Sequence, residues 1–125
     1  MAERHRVLCV DPDPAGLEAL EDILRAEFFV VTAKSADDAL AQTKDGGFHV
    51  VCADSRLKDR SGLALLKSIA AIDARPELVL LTGANSLFMS REDLLSGQIC
   101  YVFKPVQKDS LLETVRRLAS VAASK

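Results

Sequence analysis

Positive and negative charge nearly cancel along this chain. With 16 Lys and Arg against 18 Asp and Glu the formal net charge is −2. Nothing electrostatic therefore argues for direct nucleic-acid contact or an anionic membrane surface as a partner. Long apolar runs are also missing: no window approaches the roughly 18 unbroken apolar residues of a membrane span. The opening MAERHR lacks the apolar stretch of a secretory signal. Cysteine is scarce and odd in number. Cys9, Cys52 and Cys100 each lie inside an apolar, strand-like run, which reads as buried core thiol. A redox role for Cys9 and Cys52, each two residues before an aspartate, is the alternative. Without a signal or a paired cysteine framework, a reducing cytoplasm is the expected compartment. His5 and His49 have no ligand partners at useful spacing and read as incidental.

No linker, internal repeat or low-complexity tract interrupts the sequence, so residues 1–125 are expected to form one domain. That is long enough to bury a core without staples. Its ends, about 1–5 and 123–125, are expected to be flexible. Short apolar runs bounded by turn signals read as buried strands: Arg6 to Val10, Phe28 to Ala33, a run ending at Ala53, Leu78 to Leu81, and Ile99 to Phe103. Segments of helical period lie between them. Asp13 followed by Pro14 reads as an N-cap and first-turn proline, with Leu17, Leu20, Ile23 and Leu24 on one face as far as about Glu27. Ser35 caps a second helix with Ala36, Ala39 and Leu40 inward, ended by Gly46 and Gly47. Gly62 opens a third, whose inner face is Leu63, Leu66 and Ala70, flanked by Leu65, Ile69 and Ile72. Ala84 to Ser96 reads as a short or displaced fourth helix. From about Lys108 a last helix carries Leu111, Val115, Leu118 and Ala122, with Ser124 and Lys125 fraying. Five strand–helix alternations predict a flavodoxin-like three-layer α/β sandwich. Its parallel sheet has five strands in the order 2-1-3-4-5, with five helices.

Such sheets place their chemistry beyond the carboxyl ends of the strands. Four strand ends here carry polar groups of complementary type: Asp11, Asp54, Thr82 and Lys104. Carboxylates bind a hard cation, a hydroxyl donates to an oxyanion, and an ammonium neutralises it. That set suits phosphoryl transfer onto a carboxylate, which needs alignment and neutralisation more than covalent help.

On these residues the chain resembles the receiver domains of two-component response regulators, over essentially its whole length. The resemblance rests on VDPDP at Val10 to Pro14, Asp54 with Gly62 eight residues on, LLTG at Leu80 to Gly83, and YVFKP at Tyr101 to Pro105. It implies that Asp54 is the phospho-acceptor, that Thr82 contacts the phosphoryl group and that Lys104 pairs with it. Tyr101 would be the aromatic that turns inward on phosphorylation, and the bond before Pro105 would be cis. Mg²⁺ would be held by Asp11, Asp54 and the backbone carbonyl of Arg56. The implied donor is a histidine kinase or phosphotransfer protein. An output domain or protein would read the face of the fourth helix, fifth strand and last helix, which could also pair two copies. Enzymatic activity would extend at most to self-phosphorylation from phosphodonors and auto-dephosphorylation.

Two positions depart from the family pattern. Receivers carry two adjacent acidic residues after the first strand; here the pair is Asp11-Pro12. The proline supplies neither a carboxylate nor an N–H. A carboxylate about 4 Å from a cation is worth roughly 4 kcal/mol at an effective dielectric near 20, and water replaces part of that because Mg²⁺ readily keeps several waters. A weakened Mg²⁺ site is therefore expected. Asp13 is either the N-cap alone or a compensating metal contact. Lys58 stands where the family usually has a proline, which alters the stiffness of the loop. Two other functions remain open. One is a degenerate receiver acting as a phosphorylation-independent interaction or dimerisation module. The other, a flavin-type phosphate site, is disfavoured because DPDP presents carboxylates where a phosphate loop needs N–H groups.

Overall fold

A computed structural model describes residues 4–83 and 99–125. Five strands alternate with helices: β1 (Arg6–Val10), α1 (Pro14–Leu24), β2 (Phe29–Ala33), α2 (Ala36–Asp45), β3 (Val50–Asp54), α3 (Gly62–Ile72), β4 (Glu77–Thr82), β5 (Ile99–Phe103) and α4 (Lys108–Ala123). All strand pairs are parallel and the order is β2-β1-β3-β4-β5. This is the flavodoxin-like arrangement that the alternation predicts. Four helices are seen among the described residues. The helix expected within Ala84 to Ser96 lies outside them.

The strands read as continuous apolar runs because both sheet faces are covered. Side chains alternate between two cores. Val7, Cys9, Val50, Cys52, Val79 and Leu81 pack with Leu17, Leu20 and Leu24 of α1 and Leu111, Leu112, Val115 and Ala119 of α4. Leu8, Val10, Val51, Ala53, Leu78 and Leu80 pack with Ala36 and Ala39 of α2 and Leu65, Leu66 and Ile69 of α3. Each fully buried leucine, Leu8 or Leu66 for instance, contributes about 2 kcal/mol relative to an exposed one. Cys9 and Cys52 are direct register partners in the centre of the first core. Contact with the Cys52 thiol, and then burial, holds the Cys9 thiol well above its ordinary pKa. Both cysteines are free thiols with no exposed surface.

Several local expectations shift. The α1 helix ends at Leu24, and Phe28 turns into the first core instead of starting β2; its N–H bonds the Leu24 carbonyl at 3.0 Å. The inner face of α3 is Gly62, Leu65, Leu66 and Ile69, with Leu63 half-buried and Ile72 exposed. The reason is the tight seat of Gly62. Fraying was expected at the last residues, yet the Lys125 ammonium bonds the Ala74 and Arg75 carbonyls and Glu77 at 3.1–3.2 Å. His49 has work of its own. Its Nδ1 accepts the Arg6 backbone N–H at 3.0 Å, and its ring lies 4.6 Å from that of His5. No helix among the described residues is long and apolar enough to cross a membrane.

Candidate functional site: a carboxylate pair bridged by a lysine

Strand register explains which polar groups meet. Asp54 follows Cys52 by two residues, Asp11 follows Cys9 by two and Lys104 follows Val102 by two. With period-two alternation, all three side chains leave the sheet on the side covered by α1 and α4. Asp54 pairs with Leu81, which pairs with Val102, so Lys104 lies two residues beyond that row. Its N–H bonds the Thr82 carbonyl at 2.9 Å, and the cis peptide to Pro105 follows. Thr82 and Tyr101 have the opposite parity, with Leu80 and Ile99, and belong to the side of α2 and α3.

Lys104 Nζ lies 2.7 Å from Asp54 Oδ1 and 3.9 Å from Asp11 Oδ2. Both carboxylates are buried, while the lysine keeps over a third of its side chain in solvent. Burial raises the Asp11 pKa above its ordinary value and the Asp54 charge adds to this; the Asp13 N–H and Lys104 oppose it. Two buried carboxylates with one shared ammonium are short of positive charge. That is an environment for a cation.

Asp11 is tightly seated. Its Oδ1 accepts the Asp13 N–H at 2.9 Å, and a Cβ on Gly16 would stand 2.5 Å from its Oδ2. Gly16 thus gives the carboxylate room beneath α1, in a cavity of about 240 Å³ shared with Ala19, Leu20, Lys104 and Pro105. Asp13 caps α1: its Oδ1 accepts from Ala15 N–H at 3.1 Å. Thr82 is buried, with its hydroxyl donating to the Gly83 carbonyl at 3.2 Å. Tyr101 is half-buried against the second core.

The loop after β3 is closed on itself. Arg56 and Ser61 form an antiparallel bridge. The bond closing it runs from Gly62 N–H to the Ser55 carbonyl at 3.0 Å, leaving the Arg56 carbonyl out of the pairing. A Cβ on Gly62 would overlap the Asp54 backbone carbonyl, so only glycine lets α3 start this close behind Asp54.

These residues fit Mg²⁺. Hard cations take oxygen ligands, and Mg²⁺ is commonly held by one or two carboxylates, with water filling the remaining positions. Asp11 and Asp54 supply two carboxylates, and the Arg56 carbonyl begins the adjoining loop. Pro12 adds no side-chain ligand, and among the described residues no group of three or more His, Cys, Asp or Glu that could hold a metal ion is present.

The family model for the response regulator receiver domain matches residues 7–116. The chain belongs to that family. It is 33% identical over 112 residues to the transcriptional regulatory protein ZraR of Salmonella typhimurium, covering 89% of this chain and 25% of ZraR. It is 27% identical over 115 residues to the chemotaxis protein CheY of Bacillus subtilis, covering 90% and 96% respectively. Among solved structures, a CheY-like receiver domain from Methanospirillum hungatei superposes with a TM-score of 0.85 at 26% identity, covering 98% of each chain. This receiver chain spans about a quarter of the length of the transcriptional regulators it matches. Receivers of this family act in two-component systems with histidine kinases or phosphotransfer proteins, and generally bind Mg²⁺.

Sequence reasoning missed Gly16 and Asp59. A glycine inside a helix costs about 1 kcal/mol relative to alanine, so Gly16 was detectable as an unexplained expense. Asp59 left no signal, because its partners are 22 and 23 residues away.

Proposed function

We propose that this receiver accepts a phosphoryl group on Asp54 from a histidine kinase or phosphotransfer protein. The observation that carries the reading is the Lys104 ammonium held between Asp54 and Asp11. An Asp54 carboxylate oxygen attacks the phosphorus of a donor phosphohistidine. The O–P bond forms as the N–P bond breaks, and the bonding pair stays on the donor imidazole. Mg²⁺, when bound, neutralises phosphoryl oxygens, and Asp11, Asp54 and the Arg56 carbonyl would hold it. Lys104 then pairs with the phosphoryl group. Thr82 exchanges its Gly83 carbonyl for a phosphoryl oxygen. Tyr101, on the same side of the sheet as Thr82, follows it inward. The surface formed by β5, α4 and the helix expected before β5 changes its partners, which include an output domain or protein or a second copy of the chain. A local charge thereby biases a two-state element.

With Pro12 in place of the second acidic residue, the Mg²⁺ site is weaker than the family norm. This also favours a second reading, in which the chain is an interaction or dimerisation module independent of phosphorylation. Incubation with an acyl phosphate and Mg²⁺, read by intact mass, separates the two. The first reading expects the gain of one phosphoryl group, absent in Asp54→Asn. No gain, with no spectral response to beryllofluoride, overturns it in favour of the second.

A further inference from the structure

The loop that follows Asp54 is fastened to a different helix by one side chain. Asp59 Oδ1 accepts the Ala36 N–H at 3.1 Å, and its Oδ2 accepts the Asp37 N–H at 3.0 Å. Arg60 adds an exposed contact to Asp37 at 3.3 Å. The first N–H groups of a helix have no partner within it. Here Ser35 Oγ satisfies only Asp38, at 3.1 Å. The first two are satisfied by a carboxylate more than twenty residues along the chain, and the partial positive charge of the helix start favours its ionised form. These N–H bonds hold the Asp59 pKa below the usual carboxylate value.

The fastening acts on a short, closed loop. At its base are the Gly62 N–H to Ser55 carbonyl bond and the Arg56–Ser61 bridge; at its tip, five residues past Asp54, is Asp59. Lys58 precedes it where the resemblance expects a proline. The ring that would limit this backbone is absent. We propose that Asp59 is a positioning residue: by holding two N–H groups of α2 it fixes the loop after β3, and with it the Arg56 carbonyl beside Asp54.

The part about Arg56 rests on the metal-assisted reading of Asp54; the part about the loop does not. Three variants separate them. Asp59→Ala removes both bonds, Asp59→Asn retains one acceptor oxygen, and Ser35→Ala weakens the same helix start without touching the loop. Amide hydrogen exchange in metal-free protein is measured at Gly62, together with Mg²⁺ affinity by NMR titration. Asp59→Ala is expected to speed Gly62 exchange by about fivefold or more, the scale of one lost cap, and to weaken Mg²⁺ binding. Asp59→Asn is expected to fall between it and the parent. Ser35→Ala is expected to lower Tm while leaving Gly62 exchange and Mg²⁺ affinity unchanged. Unchanged exchange in Asp59→Ala, or an equal increase in Ser35→Ala, overturns the proposal. Faster exchange with unaltered Mg²⁺ affinity keeps Asp59 as the fastening of the loop and overturns its link to Arg56. If the parent protein binds no Mg²⁺, the reading of the Asp54 site fails, and exchange alone still decides whether Asp59 holds the loop.

Discussion

Lys104 is the residue on which the carboxyl edge turns, and its neighbours show what the edge costs. Folding raises the Asp11 pKa, first through burial and then through Asp54. The unfolded chain therefore gives up this proton more easily than the folded one. Stability falls as pH rises from the unfolded carboxyl value through the raised folded value, and the loss persists above it. Asp11→Asn removes that charge and keeps an oxygen for the Asp13 N–H. Its Tm at neutral pH is expected to exceed the parent's, with the difference vanishing in acid; a lower Tm at neutral pH contradicts this. Gly62→Ala acts in the opposite direction. Its Cβ meets the Asp54 backbone, which cannot rotate away as a side chain can. A loss of about 1–3 kcal/mol is expected in urea unfolding.

At the scale of elements, the strands were legible because their apolar runs are short and end in polar groups. Helix faces were less so. The residue that sets the rotation of α3 is Gly62, and its demand is a close approach to Asp54 that no hydrophobic period encodes. Its β-propensity places Phe28 in a strand, but packing with α1 and α4 residues in the first core decides its position. The amino edge of the sheet was not legible at all. There Arg6 lies 5.2 Å from the Phe29 ring centre and 5.1 Å from that of Phe48, and its N–H is tied to His49. Burial lowers the His49 pKa, assisted by His5, Arg6 and Arg75. The unfolded chain then binds the proton more readily. Stability from this contact is complete above about pH 6.5 and is lost as pH falls toward the depressed folded value. His49→Asn supplies an acceptor that does not titrate. Its unfolding free energy is expected to change less than the parent's between pH 7.5 and 5, and an equal pH slope in both proteins contradicts the assignment.

Across the whole molecule, two apolar layers hold a sheet whose carboxyl edge gathers Asp11, Asp54 and Lys104 on one side and Thr82 with Tyr101 on the other. The four polar strand ends were visible in the sequence because each closes an apolar run. Which of them touch was not, since contact depends on register and side-chain parity across five strands. Pro12 is where the sequence parts from the family pattern: in the proposed reading the acceptor Asp54 has its lysine, and the metal position has one carboxylate fewer. Phosphorylation from an acyl phosphate, followed by intact mass as Mg²⁺ is increased, tests both statements in the parent and in Pro12→Asp. The expected result is one phosphoryl group on Asp54 in each, with the half-maximal Mg²⁺ concentration about tenfold or more lower in Pro12→Asp, a part of the several kcal/mol a nearby carboxylate supplies. No mass gain at any Mg²⁺ concentration, or the same Mg²⁺ dependence in both proteins, contradicts it.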